Sequence, residues 1–215
     1  MDGDFPDELR QVFKETRDLI EYICEKDGID LSQADDAETD AAMRAMDEAN
    51  DKAQAHPVSK AAVEYFSLVE DFLKTAGEWL DEMTDALQQQ LELGIDRMDL
   101  MQKAAQLNDA VEVVAWYRLQ IGTKLIRAFS GVIEGEEFAD ENGFPRDSDG
   151  SAKVALIGID RSLDAWATLA RLAPDRTDDF LSFLRLLEKL RNNAEAAFPN
   201  ARAFVRPGFD ERQET

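Results

Sequence analysis

Over residues 57–91 apolar side chains return every three or four positions, and that spacing describes a helix with one buried face. The stripe is Ala62, Phe66, Val69, Phe72, Leu73, Ala76, Trp79, Leu80, Met83 and Leu87. Lys60, Glu64, Glu70, Asp71, Lys74, Glu78, Asp81, Glu82 and Asp85 fill the opposite side. Pro57 suits the first turn, where its missing N–H costs nothing, and Gly94 suits the end. A helix of this length cannot bury such a stripe alone. The rest of the chain must supply partners, and it reads as more helices of the same kind.

A second stripe, Leu9, Val12, Phe13, Thr16, Leu19, Ile20, Ile23 and Cys24, predicts a helix from about Pro6 to Lys26, stopped by Gly28. Asp96 can cap a third segment running to Gly131. Its second half is the most apolar part of the chain, with Val111, Val113, Val114, Trp116, Tyr117, Leu119, Ile121, Leu125, Ile126 and Phe129. At ~100° per residue these cover most of the circumference, which predicts a helix central in the bundle. A fourth segment starts near Asp149 or Ser151 and is stopped by Pro174. A fifth, about Asp178 to Phe198, takes Thr177 as its cap and is stopped by Pro199. Residues 132–150 read as a loop.

The expected fold is therefore all-α: an antiparallel bundle of four long core helices near 58–91, 97–131, 151–173 and 178–198, with an N-terminal helix and an extended C-terminal tail. Residues 1–29 are the amphipathic helix packing on the bundle. Residues 30–56 form an acidic, weakly helical segment, rich in Ala, Asp and Glu and poor in large apolar groups. Residues 57–200 are the core, and 201–215 a tail that docks in part through Phe204, Val205 and Phe209. Trp79 and Trp166 are expected to be buried.

Charge narrows the partners. The formal net charge is −22 over 215 residues, and it is unevenly spread. Residues 1–56 carry 17 acidic and 6 basic groups, residues 57–150 carry 19 and 8, and residues 151–215 carry 10 of each. An excess of that sign excludes direct nucleic-acid binding, which needs a basic face, and disfavours anionic membranes. A protein partner is expected, with a basic one matching the charge, and self-association is compatible with the pattern. No segment reaches the ~18–20 apolar residues of a membrane span. The N-terminus lacks the apolar stretch of a secretory signal, so a cytoplasmic location is expected.

Motifs of chemistry are scarce. A di-iron bundle needs Glu-x-x-His pairs, and the single histidine, His56, has no acid three residues before it. Pro57 pushes His56 out of helical geometry, so it reads as a boundary residue and not as a phospho-accepting histidine. Asp140-Glu141-Asn142-Gly143 resembles a calcium-loop turn, but its first ligand position is Phe138. The same test on Asp147-Ser148-Asp149-Gly150 puts Pro145 first. Cys24 stands alone and reads as a small buried hydrophobe. Nucleophile elbows, phosphate loops and dinucleotide fingerprints are absent. No metal, cofactor or catalytic residue is expected, and the chain reads as a non-enzymatic interaction or regulatory protein.

One constellation offers a ligand site. Glu112, Lys124 and Arg127 share a polar arc of the third segment beside Tyr117, and Asp160 and Asp164 on the next helix could face them. The cluster is expected to be a set of inter-helix ion pairs, with a pocket for a small ligand as the alternative. Arg118 falls on the apolar side, where Glu70 or Asp109 could pair with it. A further alternative for the whole chain is an acidic decoy that mimics nucleic acid toward a basic partner.

Overall fold

The computed structural model describes residues 36–93, 97–135 and 147–205 and places Tyr22 and Lys26 in helical conformation. The described helices are α1 (Asp36–Ala55), α2 (Pro57–Glu92), α3 (Arg97–Glu134), α4 (Asp147–Leu172) and α5 (Thr177–Ala197). Short 3-10 turns follow at Pro174–Arg176 and Ala201–Ala203, and the described residues contain no strand. The chain divides into two compact units, residues 1–45 and 46–215. The first is described only through Tyr22, Lys26 and the opening of α1, where Met43 is exposed. Apart from Tyr22 and Lys26, the expected helix at 6–26, with Cys24, lies outside the described residues, as do Gly94, Asp96, the 138–145 turn and Phe209.

The second unit is an antiparallel bundle, and its contacts give the topology. On α2 and α3, His56 meets Phe129 and Glu70 meets Arg118, so the two chains run in opposite directions. On α3 and α4, Arg127 meets Asp147 while Tyr117 and Ile121 meet Gly158. On α4 and α5, Trp166 meets Phe180 and Phe183, and Asp160 meets Arg191. Each neighbour reverses the last. The fold is the expected all-α bundle.

Its core joins an aromatic layer to aliphatic side chains. Phe72 packs edge-on to Trp166 at 5.0 Å and to Phe180 and Phe183 at 6.1 Å. Trp166 stacks on Phe183 at 4.0 Å. Trp79 closes one side of the layer, and the Arg176 guanidinium lies 5.2 Å from its ring. Trp79 and Trp166 are buried as their stripes required. Tyr65 is fully buried too, and its hydroxyl accepts the Trp166 indole N–H at 3.1 Å. Burial pushes the Tyr65 phenol above its ordinary pKa, and the indole bond works against that shift. The same core takes in Val69, Val114, Ile121, Leu125, Leu156, Ile159, Leu187 and Leu190.

Helix ends show where local sequence was misread. Of the loop expected at 132–150, residues 132–134 belong to α3, which continues to Glu134, and residues 147–150 belong to α4, which begins at Asp147. Asp147 and Asp149 sit in the first turn of α4, where carboxylates suit the positive end of the helix dipole. Thr177 does not cap α5. It is the first helical residue, and its hydroxyl donates to the Ala170 and Pro174 carbonyls at 3.2 and 2.9 Å, tying α5 to the end of α4. The acidic segment is helical over Asp36–Ala55; residues 43–48 are exposed, and Ala49 and Ala53 are buried.

His56 is the joint between α1 and α2. Its N–H donates to the Ala53 carbonyl at 3.2 Å, and its own carbonyl accepts the Lys60 N–H at 3.0 Å. Its ring nitrogen Nδ1 accepts the Val58 N–H at 3.3 Å, so the imidazole caps α2. The ring stacks on Phe129 at 3.8 Å, and Phe129 packs on Phe198 at 4.8 Å. Burial lowers the His56 pKa, which keeps Nδ1 available as an acceptor.

At the C-terminal end the chain folds back on α4. Phe204 covers Gly150, where an added Cβ would lie 3.0 Å from the ring, and the Phe204 carbonyl accepts from Lys153 Nζ. Arg202 donates to both carboxylate oxygens of Asp160 and to Glu195, which raises its pKa further. Arg191 approaches Asp160 from the other side at 3.7 Å.

Candidate functional site

Helix α3 was expected at the centre of the bundle. It packs instead on α2 and α4 and leaves one face in solvent. The reason is geometric: in a bundle of four helices each has an outer face, so apolar groups all round a helix exceed what the core can take. The excess is exposed. Met98 is 76% exposed, Met101 57%, Trp116 72% and Leu119 58%. At ~100° per residue these four fall within about 60° of arc, as two pairs, Met98–Met101 and Trp116–Leu119, separated along the same arc by Ala105, Asn108, Asp109 and Glu112. Large apolar groups scattered singly are ordinary, and an exposed Trp and Leu one turn apart make this face the candidate surface.

Toward the C-terminal end of α3 the same face enters a cleft. The cleft has a volume of about 660 Å³ and is lined by Met46, Asp47 and Asn50 of α1, by Thr123, Ile126, Arg127, Ser130, Gly131 and Glu134 of α3, and by Asp147. Arg127 Nε donates to Asp147 Oδ2 at 2.7 Å across its floor, with both side chains more than 60% exposed. Ser130 Oγ donates to Glu134 Oε1 at 3.0 Å. Among the described residues of the lining, the charged groups apart from Arg127 are carboxylates.

The six candidate residues do not assemble into one site. Arg127 lines the cleft but pairs with Asp147, and neither Asp160 nor Asp164 faces it. Asp160 belongs to the Arg202–Glu195–Arg191 cluster at α5 and the C-terminal turn. Asp164 lines a shallower groove of about 360 Å³ between α3 and α4, with Asp109, Arg161 and Arg171. Tyr117 is a packing residue: its ring stands where a Cβ at Gly158 would come within 3.0 Å, so glycine there lets α3 and α4 approach closely. Glu112 is exposed on the apolar stripe one turn before Trp116, and among the described residues neither it nor Lys124 forms an ion pair. The expected pairing of Lys124 and Arg127 with Asp160 and Asp164 is therefore corrected. Asp164 faces the part of α3 near Asp109, about five turns from Arg127.

Arg118 has the partner expected of it. Its Nε donates to Glu70, and its guanidinium lies 5.9 Å over the Phe66 ring at the α2–α3 seam. Among the described residues no group of three His, Cys, Asp or Glu side chains is gathered for a metal ion. No helix of the described residues is long and apolar enough to cross a membrane. Sequence reasoning missed the stripe as a surface and missed Asp47 and Asp147 as lining. The signal for the stripe was present, since Met98, Met101, Trp116 and Leu119 share one arc of the helical wheel.

Comparison with protein-family models, with curated proteins and with solved structures finds no match to this chain.

Proposed function

We propose that this protein is a non-enzymatic interaction module that docks a protein partner on the solvent face of α3. The observation that carries the reading is the exposure of Trp116 and Leu119 on a helix whose other faces build the core. Aromatic side chains are enriched among the residues that dominate binding energy. An exposed Trp flanked by Leu one turn away supplies such an anchor at no cost to packing inside the bundle.

A decoy that mimics nucleic acid draws less support. Such a surface needs an unbroken row of carboxylates, and cations interrupt the rows here. Lys74 pairs with Asp71 at 2.7 Å on α2, and Lys103 pairs with Asp99 at 2.8 Å on α3. A small-ligand site in the 660 Å³ cleft would be more open and more acidic than most pockets, which are enclosed and largely apolar.

The test is differential capture from the native cell. The double variant Trp116→Ala/Leu119→Ser is compared with the intact protein and with Asp81→Asn/Glu82→Gln on α2. Proteins retained by the intact chain and by the α2 variant, but lost with the α3 variant, are the expected result. An identical set on all three baits would defeat the reading.

A further inference from the structure

We infer that the partner seated on α3 presents a basic amphipathic helix, laid along the stripe with its apolar side on Trp116 and Leu119 and a Lys or Arg reaching the cleft. The inference rests on the interaction reading above and adds the chemistry of the partner.

Continuity comes first. Thr123, Arg127, Ser130 and Glu134, which line the cleft, fall on the same arc of α3 as Trp116 and Leu119 at ~100° per residue. A ligand following the stripe therefore arrives in the cleft without changing face. At 1.5 Å per residue, Leu119 and Arg127 are about 12 Å apart along the axis, and Leu119 and Glu134 about 22 Å. That is two to four turns of a helix, a span a peptide helix covers with anchors at three- and four-residue spacing.

Charge selects the occupant. Asp109 and Glu112 precede Trp116 on the exposed side, and among the described residues the cleft beyond adds Asp47, Glu134 and Asp147 against the cation Arg127. An acidic or uncharged amphipathic helix would bring no compensation to these carboxylates. A second copy of this chain, itself at −22, would bring like charge to like. Nucleic acid has the wrong sign. The carboxylates are spread along the face and not gathered for an ion, which suits the spaced side chains of a helix. Apolar anchors then supply the lifetime of the complex, while the charges govern its rate of formation and its response to salt.

The experiment uses the full chain and two synthetic peptides of about 18 residues, long enough to cover ~27 Å as a helix. One is built of Leu and Lys in amphipathic register, the other of Leu and Glu in the same register. Titration is followed by calorimetry and by the shift in tryptophan emission, since Trp116 is the exposed indole whose surroundings a docked peptide would change. The Leu/Lys peptide is expected to bind and the Leu/Glu peptide to fail. The cleft variant Asp47→Asn/Glu134→Gln/Asp147→Asn should weaken binding about 10-fold or more. The matched variant Asp81→Asn/Glu82→Gln/Asp85→Asn, at the far end of α2, should change it less than about 3-fold. Because Asp147 also pairs with Arg127, the double variant Asp47→Asn/Glu134→Gln repeats the test with that pair intact. Equal losses in the cleft and control variants would overturn the inference, since total charge would then explain the binding. Equal binding of both peptides would overturn it as well. Trp116→Ala/Leu119→Ser should weaken binding by about 30-fold or more. Binding unchanged by that variant would sink the interaction reading itself. Loss there with no effect of the cleft variants would leave α3 as the face and refute the basic helix in the cleft.

Discussion

Helices α2 and α3 are nearly equal in length, 36 and 38 residues, and lie side by side, yet their outer faces differ in kind. Along α2 the exposed positions include Lys60, Glu64, Asp71, Lys74, Glu78, Asp81, Glu82 and Asp85, and the exposed large apolar groups among them are Val63 and Leu68, at 50% and 40%. Along α3 the exposed face carries larger groups, Met98, Met101, Trp116 and Leu119, at 57–76%, interspersed with Asn108, Asp109 and Glu112. Both helices give their remaining faces to one core. The difference is therefore not one of fold. A surface helix needs only one apolar stripe to be stable, so the bundle itself does not require the exposed apolar groups of α3.

The comparison can be broken most severely from the inside. Phe72→Ala, at the centre of the aromatic layer, should cost about 3–5 kcal/mol, and Leu187→Ala about 2–5 kcal/mol. Guanidinium unfolding of either variant with an unchanged midpoint would mean that the layer is not the core. Leu73→Ala should cost less than Leu187→Ala, because Leu73 is only half-buried. Next in size is the α3–α4 contact. Gly158→Ala places a methyl 3.0 Å from Tyr117 and 3.1 Å from Ile121. The resulting strain of about 1–3 kcal/mol is offset by at most about 1 kcal/mol of helix propensity. Net stabilisation on thermal unfolding would show that the two helices do not approach as closely as described.

The α1–α2 joint sharpens the comparison through pH. Burial depresses the folded His56 pKa below its unfolded value. The neutral imidazole thus contributes stability that is present above the unfolded value, about 6.5, and is lost as pH falls through the folded one. As pH falls below about 6.5 the intact protein should lose stability more steeply than His56→Gln, whose side-chain oxygen can still accept the Val58 N–H. Parallel pH profiles would remove His56 from the account. The smallest effect is expected at Arg127. Its pair with Asp147 is largely exposed, and exposed pairs contribute about 0–1 kcal/mol. Arg127→Ala should therefore unfold within ~1 kcal/mol of the intact protein, where a register-fixing buried pair would have cost several times more.

Much of the fold was legible because three-and-four spacing is a direct signature of a buried helical face, and Pro57, Pro174 and Pro199 mark helix limits. Less was legible where size and chemistry misled. Tyr65 carries a polar group and drops out of an apolar stripe, yet it is fully buried because the Trp166 N–H satisfies its hydroxyl. Ala49 and Ala53 are too small to register as anchors, yet they are the buried residues in the second half of α1. The polar cluster failed for another reason. Spacing on a single helix places Glu112, Lys124 and Arg127 on an arc, but it says nothing about the register of α4 against α3. That register puts Asp147, and not Asp164, beside Arg127. The stripe of α3 was visible as hydrophobicity. Its exposure was not, because periodicity cannot tell a helix covered on all sides by its own chain from one reserved for a partner.

The central claim is that the outer face of α3 serves a partner and not the fold. Its most direct test is the denaturant midpoint of the full chain carrying Trp116→Ala/Leu119→Ser. Exposed substitutions away from any structural feature change stability by about 0.5 kcal/mol or less, and the account predicts a shift of that size. A loss of about 2 kcal/mol or more, comparable with Leu187→Ala, would show that Trp116 and Leu119 are buried in the folded protein and that α3 has no face to offer.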